Sequence, residues 1–227
     1  MNDRHALVML FDVDNTLLDN DLVRRGLEQR LTQELGDLPA KRFWNIYENV
    51  RLETELVDFP LTIARWRLEF PSHPQVTRLE YLIFGFDFAS VVYAESPAAV
   101  AHAHAISRPV VLSDGDQNFQ RHKVRAAGIE AAFDGHVLIY VHKELNTHEI
   151  MMRYPAEHYA MIDDKPRIHT AMKERLGAMV TTVHVCQGKY AHDPSHHQGN
   201  GADVTIEGIG DLMNWSREAL VAAGRGS

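Results

Sequence analysis

The sequence predicts an α/β protein, a parallel sheet covered by helices on both sides and interrupted by one long helical insertion. Three observations carry that prediction. Short apolar runs alternate with helical periodicity, the pattern of right-handed β–α–β crossovers. Several of these runs end in residues capable of chemistry. Between the first run and the second lie about ninety residues with helical patterning throughout.

The first run, Leu7-Val8-Met9-Leu10-Phe11, reads as a buried parallel strand. It ends in Asp12-Val13-Asp14-Asn15-Thr16. With a side-chain period of two, both carboxylates leave the strand on one side. They do so at a C-terminal strand end, where open α/β sheets bind ligands. Two acids aimed at one spot repel unless a cation or a shared proton relieves them. Asp and Asn also close strands as turn and cap residues, so this stretch alone keeps both readings.

Residues 19–107 read as a helical bundle inserted into the sheet domain, which takes 1–18 and 108–227. Leu27, Leu31 and Leu35 recur every four residues, and Gly36 with Pro39 supplies a stop. Phe43, Ile46, Tyr47 and Val50 follow the helical template, and Val76, Leu79, Ile83 and Phe86 repeat it after breaks at Pro60, Pro71 and Pro74. Ser96-Pro97 predicts an N-cap and first helical position, opening a helix to Ile106. Most of the aromatic residues Trp44, Tyr47, Trp66, Phe70, Tyr81, Phe84, Phe86 and Phe88 are expected as bundle core. Arg65 and Arg67, beside Trp66, read as a solvated helix face rather than as anion ligands.

Strand signals return at Pro109-Val110-Val111-Leu112, ending in Ser113-Asp114-Gly115. A helix carrying Phe119, Val124 and Ala127 follows, stopped by Gly128. His136–Val141 leads to Lys143, and His158–Ile162 leads to Asp163-Asp164. Pro166 opens a helix to Arg175, and Thr181–Val185 is a fifth strand. A polar stretch from Gln187 to Gly201 holds His192, His196 and His197 near Asp193, but an irregular loop fixes no metal geometry. His102 and His104, two apart on a helix, share no face and are not read as ligands. A short strand at Val204–Ile206 and a helix from Asp211 to Ala222 complete the pattern. In a parallel sheet, the polar ends at Asp12/Asp14, Ser113, Lys143 and Asp163/Asp164 fall on one rim.

The net charge of −8 argues against a general nucleic-acid binder, and no apolar run approaches the ~18 residues of a membrane helix. The single Cys186 excludes an intramolecular disulfide. With no leader-like pattern, a cytoplasmic setting is expected. The rim's oxygen-rich acids favour Mg²⁺, and Lys143, the Ser113 hydroxyl and backbone N–H groups at Asp114-Gly115 would cradle a phosphoryl group. An ionised Asp can attack phosphorus, while a second Asp two residues on protonates the leaving oxygen and then activates water.

Asp12-Val13-Asp14-Asn15-Thr16, Ser113-Asp114-Gly115, Lys143 and Asp163-Asp164 resemble, in order, the four motifs of the haloacid dehalogenase superfamily. The resemblance covers residues 5–18 and 108–210 and implies a Rossmann-like core. It implies Asp12 as nucleophile, Asp14 as general acid/base, and Ser113 and Lys143 as phosphoryl ligands. It also implies Mg²⁺ held by Asp12, the Asp14 carbonyl and Asp164, with Asp163 assisting. The insertion between first and second motifs resembles the α-helical cap of the branch that hydrolyses small phosphorylated metabolites. Two departures stand out: Glu144 follows Lys143 where many relatives have Pro, and Lys165-Pro166 follows the acid pair.

The expected function is therefore an Mg²⁺-dependent phosphoric monoester hydrolase acting on a small phosphorylated metabolite, as a monomer or homodimer. Dehalogenases of the superfamily lack an acid at the Asp14 position, since a carbon–halogen bond needs no leaving-group proton. A phosphonate hydrolase would need a cap lysine as Schiff base, and Lys41, the one Lys of 19–107, shows no sign of desolvation. A receiver domain presents its motifs in another order on a shorter chain. A phosphomutase with the same core, and a catalytically silent phosphate-binding scaffold, are the alternatives left open.

Overall fold

A computed structural model describes residues 4–188 and 201–226. Six parallel strands form one sheet in the order β3-β2-β1-β4-β5-β6: β1 His5–Phe11, β2 Arg108–Asp114, β3 Val137–Tyr140, β4 Ala156–Asp163, β5 Val180–Val185 and β6 Val204–Ile206. The order turns back at β1, which lies between β2 and β4. This is the topological switch point where such sheets bind ligands. The sheet is buried on both faces, as the continuous apolar runs demand. Leu7, Met9 and Phe11 pack into one cluster, whereas Val8 and Leu10 pack into the cluster on the other side.

Among the described residues ten α-helices connect or flank the strands: α1 Asn20–Leu35, α2 Asp37–Thr54, α3 Phe59–Glu69, α4 Leu79–Phe84, α5 Ser96–Ile106, α6 Gln117–Ala126, α7 Ile129–Ala132, α8 Thr147–Arg153, α9 Pro166–Leu176 and α10 Arg217–Arg225. Asp19 caps α1 through Leu22 N at 2.7 Å, and Val23, Leu27, Leu31 and Leu35 form its buried stripe. Gly36, at φ +82°, makes the turn into α2. Pro39 is therefore no stop; it lies in the first turn of α2, where a missing N–H costs nothing.

Helices α1 to α4 pack on one another, while α5 packs against β2 and the 3₁₀ turn Ile209–Asn214. Two chain links join α1–α4 to the rest of the chain, and they are paired by a bridge from Leu18 to Val92. Most of the aromatic block is core as expected, with Trp66 and Phe88 sealed and Tyr47 buried, whereas Tyr81 is exposed; Phe59 meets Phe119 of α6 at 4.4 Å between ring centroids. The expected helix over 211–222 is instead that 3₁₀ turn followed by α10. Trp215 is extended, and Ser216 starts a new helix by accepting from Ala219 N. Among the described residues no helix is long and apolar enough to cross a membrane. His192, Asp193, His196 and His197 lie outside the described residues.

Candidate active site

Parallel pairing brings the predicted strand ends together. Phe11 pairs with Ile162 and Val111, so Asp12 follows β1 beside Asp163 at the end of β4. Lys143 opens the 3₁₀ turn after β3 and is fully buried. Its Nζ lies 2.6 Å from Asp12 Oδ1, 2.6 Å from Asp163 Oδ2 and 3.3 Å from the Leu112 carbonyl. Burial alone would pull its ammonium down, but Asp12 and Asp163 more than offset this and hold it above the ordinary lysine range. The Asp163 carboxyl, also buried, is held at about 2 by Lys143 and Lys165. Burial pushes the Asp12 carboxyl up, partly countered by the same lysines.

Asp164 is in a different position. It is 1% exposed, and neither of its oxygens has a hydrogen-bond partner. Burial drives its carboxyl well above the usual range. A buried carboxylate left without donors is costly unless a cation meets it. One oxygen each from Asp12, Asp163 and Asp164 lie within 4.8 Å of one another. An all-oxygen, anionic donor set of that size fits a hard divalent cation such as Mg²⁺. Lys165 borders it, with Nζ 3.4 Å from Asp12 Oδ2 and 3.8 Å from Asp164 Oδ1.

Asp14 projects from the link toward α1, its side chain 22% exposed. Lys123 Nζ lies 2.5 Å from its Oδ1, and Gln120 Nε2 donates to its Oδ2 at 3.3 Å. Burial opposes its charge, but Lys123 outweighs burial and holds the carboxyl below its usual range. Asn15, at φ +57°, carries the turn and accepts Asn20 N at 3.0 Å through its side chain.

The second motif behaves differently from expectation. Ser113 Oγ accepts from Gln120 Nε2 at 2.8 Å, which keeps the hydroxyl at the rim. The Asp114 carboxylate is committed to the scaffold of the rim. It accepts Lys143 N at 2.8 Å and Arg167 Nη2 at 3.1 Å, and so fixes the turn that aims Lys143. Gly115 N donates to the Tyr140 carbonyl at 2.9 Å, so the expected phosphoryl donor there is already committed to β3. Gly115 instead matters through its φ of +150° and missing side chain, since a Cβ would come within 3.2 Å of Gln120 Cβ.

Sequence reasoning singled out neither Gln120 nor Lys123, and it noted Lys165 only as a departure. The available signal was the wheel of α6. Gln120 and Lys123 fall on the inward face with Phe119 and Val124, where polar residues need a partner. A cavity of about 660 Å³ separates the rim from the helical block, lined on that side by Arg24, Tyr47 and Arg51 among others. Arg24 stacks on Trp44 at 3.7 Å and pairs with Glu28. Arg65 forks onto Glu53 and Arg67 reaches the Val76 carbonyl, both away from the cavity.

No protein-family model matches the chain, and no curated protein matches it. Solved structures do. A protein of Burkholderia xenovorans LB400, described as a haloacid dehalogenase-like hydrolase, is 43% identical over 93% of this chain and 99% of its own, with a TM-score of 0.86. The magnesium-bound HAD-hydrolase YfnB of Bacillus subtilis is 14% identical, over 93% and 98% of the two chains, with a TM-score of 0.62. The L-2-haloacid dehalogenase of Xanthobacter autotrophicus, also 14% identical, covers 91% of this chain and 96% of its own at 0.55. The last two share the fold alone.

Proposed function

The chain belongs to the haloacid dehalogenase-like hydrolases, and within that family we propose that it is an Mg²⁺-dependent phosphoric monoester hydrolase acting through an aspartyl-phosphate on Asp12. Asp14 carries this reading. A carboxylate two residues beyond the nucleophile, held at the rim by Lys123 and Gln120, serves a leaving group that needs a proton. A halide leaves without one, so the arrangement favours phosphate esters over 2-haloacids.

In the first half-reaction an Asp12 oxygen attacks phosphorus, and the departing oxygen takes a proton from Asp14. An incoming phosphate dianion opposes the charge on Asp14 and favours the protonated form that this step uses. In the second half, ionised Asp14 takes a proton from water. That water attacks the aspartyl-phosphate, releasing inorganic phosphate and restoring Asp12. Lys143 fixes the nucleophile, and the Ser113 hydroxyl with the Lys165 ammonium are placed to meet phosphoryl oxygens. Asp12, Asp164 and the Asp14 carbonyl would hold Mg²⁺, with Asp163 supporting. When bound, the ion supplies charge neutralisation for the phosphoryl group. Within the insertion over 19–107, helices α1 to α4 are read as a cap that excludes water and contacts the leaving group. The cavity has the size of a small-metabolite site.

The test is hydrolysis of p-nitrophenyl phosphate by purified protein, followed by a panel of phosphorylated metabolites. We expect Mg²⁺-dependent turnover lost in EDTA and in Asp12→Asn, with no action on a 2-haloacid. Wild-type turnover by Asp12→Asn would sink the mechanism.

A further inference from the structure

Helix α6 links three parts of the molecule, two of whose contacts have no assigned part in the reaction. Its Phe119 packs on Phe59 of α3 and on Phe84 of α4, at 4.4 and 5.4 Å between centroids. His122 Nε2 donates to the Phe84 carbonyl at 2.6 Å. One residue round the helix from each, Gln120 and Lys123 turn to the rim. Lys123 is 2% exposed, and its Nζ touches Asp14 Oδ1 at 2.5 Å and Asn20 Oδ1, at the start of α1, at 3.4 Å.

Gln120 is 3% exposed, and its one amide nitrogen donates to both Ser113 Oγ and Asp14 Oδ2. The opposite amide orientation would set an oxygen against the Asp14 carboxylate, so the partners fix the sense of the group. Because Ser113 Oγ accepts from Gln120, its own O–H is kept as a donor, and its acceptor in the structure, the Asp114 carbonyl, lies at a long 3.5 Å that a phosphoryl oxygen at the rim can outcompete.

We propose that Gln120 and Lys123 are positioning residues for the reaction. Lys123 fixes the Asp14 carboxylate on the leaving-group side and ties it to the start of the helical block, and Gln120 orients the Ser113 hydroxyl as a donor to the phosphoryl group. This inference rests on the phosphatase reading above. It has a consequence that general structural support would lack. Protonation matters when the departing oxygen is strongly basic and little when it leaves as nitrophenolate. Loss of Lys123 therefore penalises alkyl phosphates selectively.

The experiment compares kcat/KM on glycerol phosphate and on p-nitrophenyl phosphate for wild type, Lys123→Met, Asp14→Asn and the double variant, in saturating Mg²⁺. Lys123→Met is expected to lose on the order of 10-fold or more on the alkyl ester beyond its loss on the aryl ester. Asp14→Asn should show the same asymmetry, and the double variant should be no worse than Asp14→Asn. Equal losses on both esters, or fully additive losses in the double variant, overturn the inference. Lys123→Gln, which keeps a polar group in place, carries the same test if Lys123→Met does not fold. Gln120→Leu should instead weaken inhibition by inorganic phosphate and raise KM alike on both esters. If wild type hydrolyses neither ester, the phosphatase reading fails and takes this inference with it. An active wild type with symmetric losses removes this inference alone.

Discussion

At the inner end of the rim, Lys143 is sealed between Asp12 and Asp163, all three with side chains at most 1% exposed. At the outer end, Lys123 is almost as buried, but its partner Asp14 is 22% exposed. Both are lysine–carboxylate contacts in one site, yet of the three carboxylates water reaches only Asp14. The inner cluster holds charge in place because Lys143 meets both carboxylates at 2.6 Å with no water to screen the contact, which suits a nucleophile and a cation. The outer one can exchange protons and admit a leaving group. Position along the rim, rather than residue type, divides the roles.

The largest effect expected from this contrast is on stability. Lys143→Met strands two buried carboxylates and should cost about 3–5 kcal/mol in metal-free protein. Denaturant unfolding in EDTA reads it directly.

The backing of the inner end gives the next effect. His169 is fully buried, 3.2 Å from the Asp163 carbonyl and 3.3 Å from His184, and burial lowers its imidazole to about 4. The unfolded chain takes up this proton near pH 6.5, but the folded chain does so only near pH 4. Stability from this group is thus complete above 6.5 and falls as pH drops through that window, by up to about 3 kcal/mol. A pH series of thermal melts should show the slope in wild type and a flatter one in His169→Asn.

Lys123→Met comes third, at about 1–2 kcal/mol, because Asp14 can turn to water when its partner is lost. A cost equal to that of Lys143→Met would erase the distinction between the two ends. Smallest is Arg65→Ala on the outer surface of the helical block. Its fork to Glu53 is solvated, and the change should leave both the thermal melt and KM unaltered.

Much of the inner end was legible in the sequence, because strand ends announce themselves. An apolar run that stops at Asp12, Asp163 or shortly before Lys143 fixes which rim the side chain joins once the sheet is parallel. The outer end was less so. Gln120 and Lys123 sit within a helix whose polar residues read as solvent-facing, and only the α6 register against Phe119 and Val124 places them inward. Gly115 was misread for a related reason. Its amide pairs with Tyr140 across strands 25 residues apart in sequence, a contact that local patterning does not carry. The same limit applies to the final helix, where Ser216 competes as a cap inside an otherwise continuous pattern. Arg24 and Arg51 reach the cavity through the packing of α1 against α2, which periodicity predicts only as two amphipathic helices.

The most direct measurement of the central claim is acid-quench trapping of the covalent intermediate. Wild-type protein, turning over p-nitrophenyl phosphate or acetyl phosphate in Mg²⁺, is quenched within a turnover and digested, and the phosphorylated peptide is sequenced by mass spectrometry. The account predicts one phosphoryl group on Asp12, absent from Asp12→Asn. Turnover with no phosphoryl group on Asp12, or with the group on another residue, would contradict it.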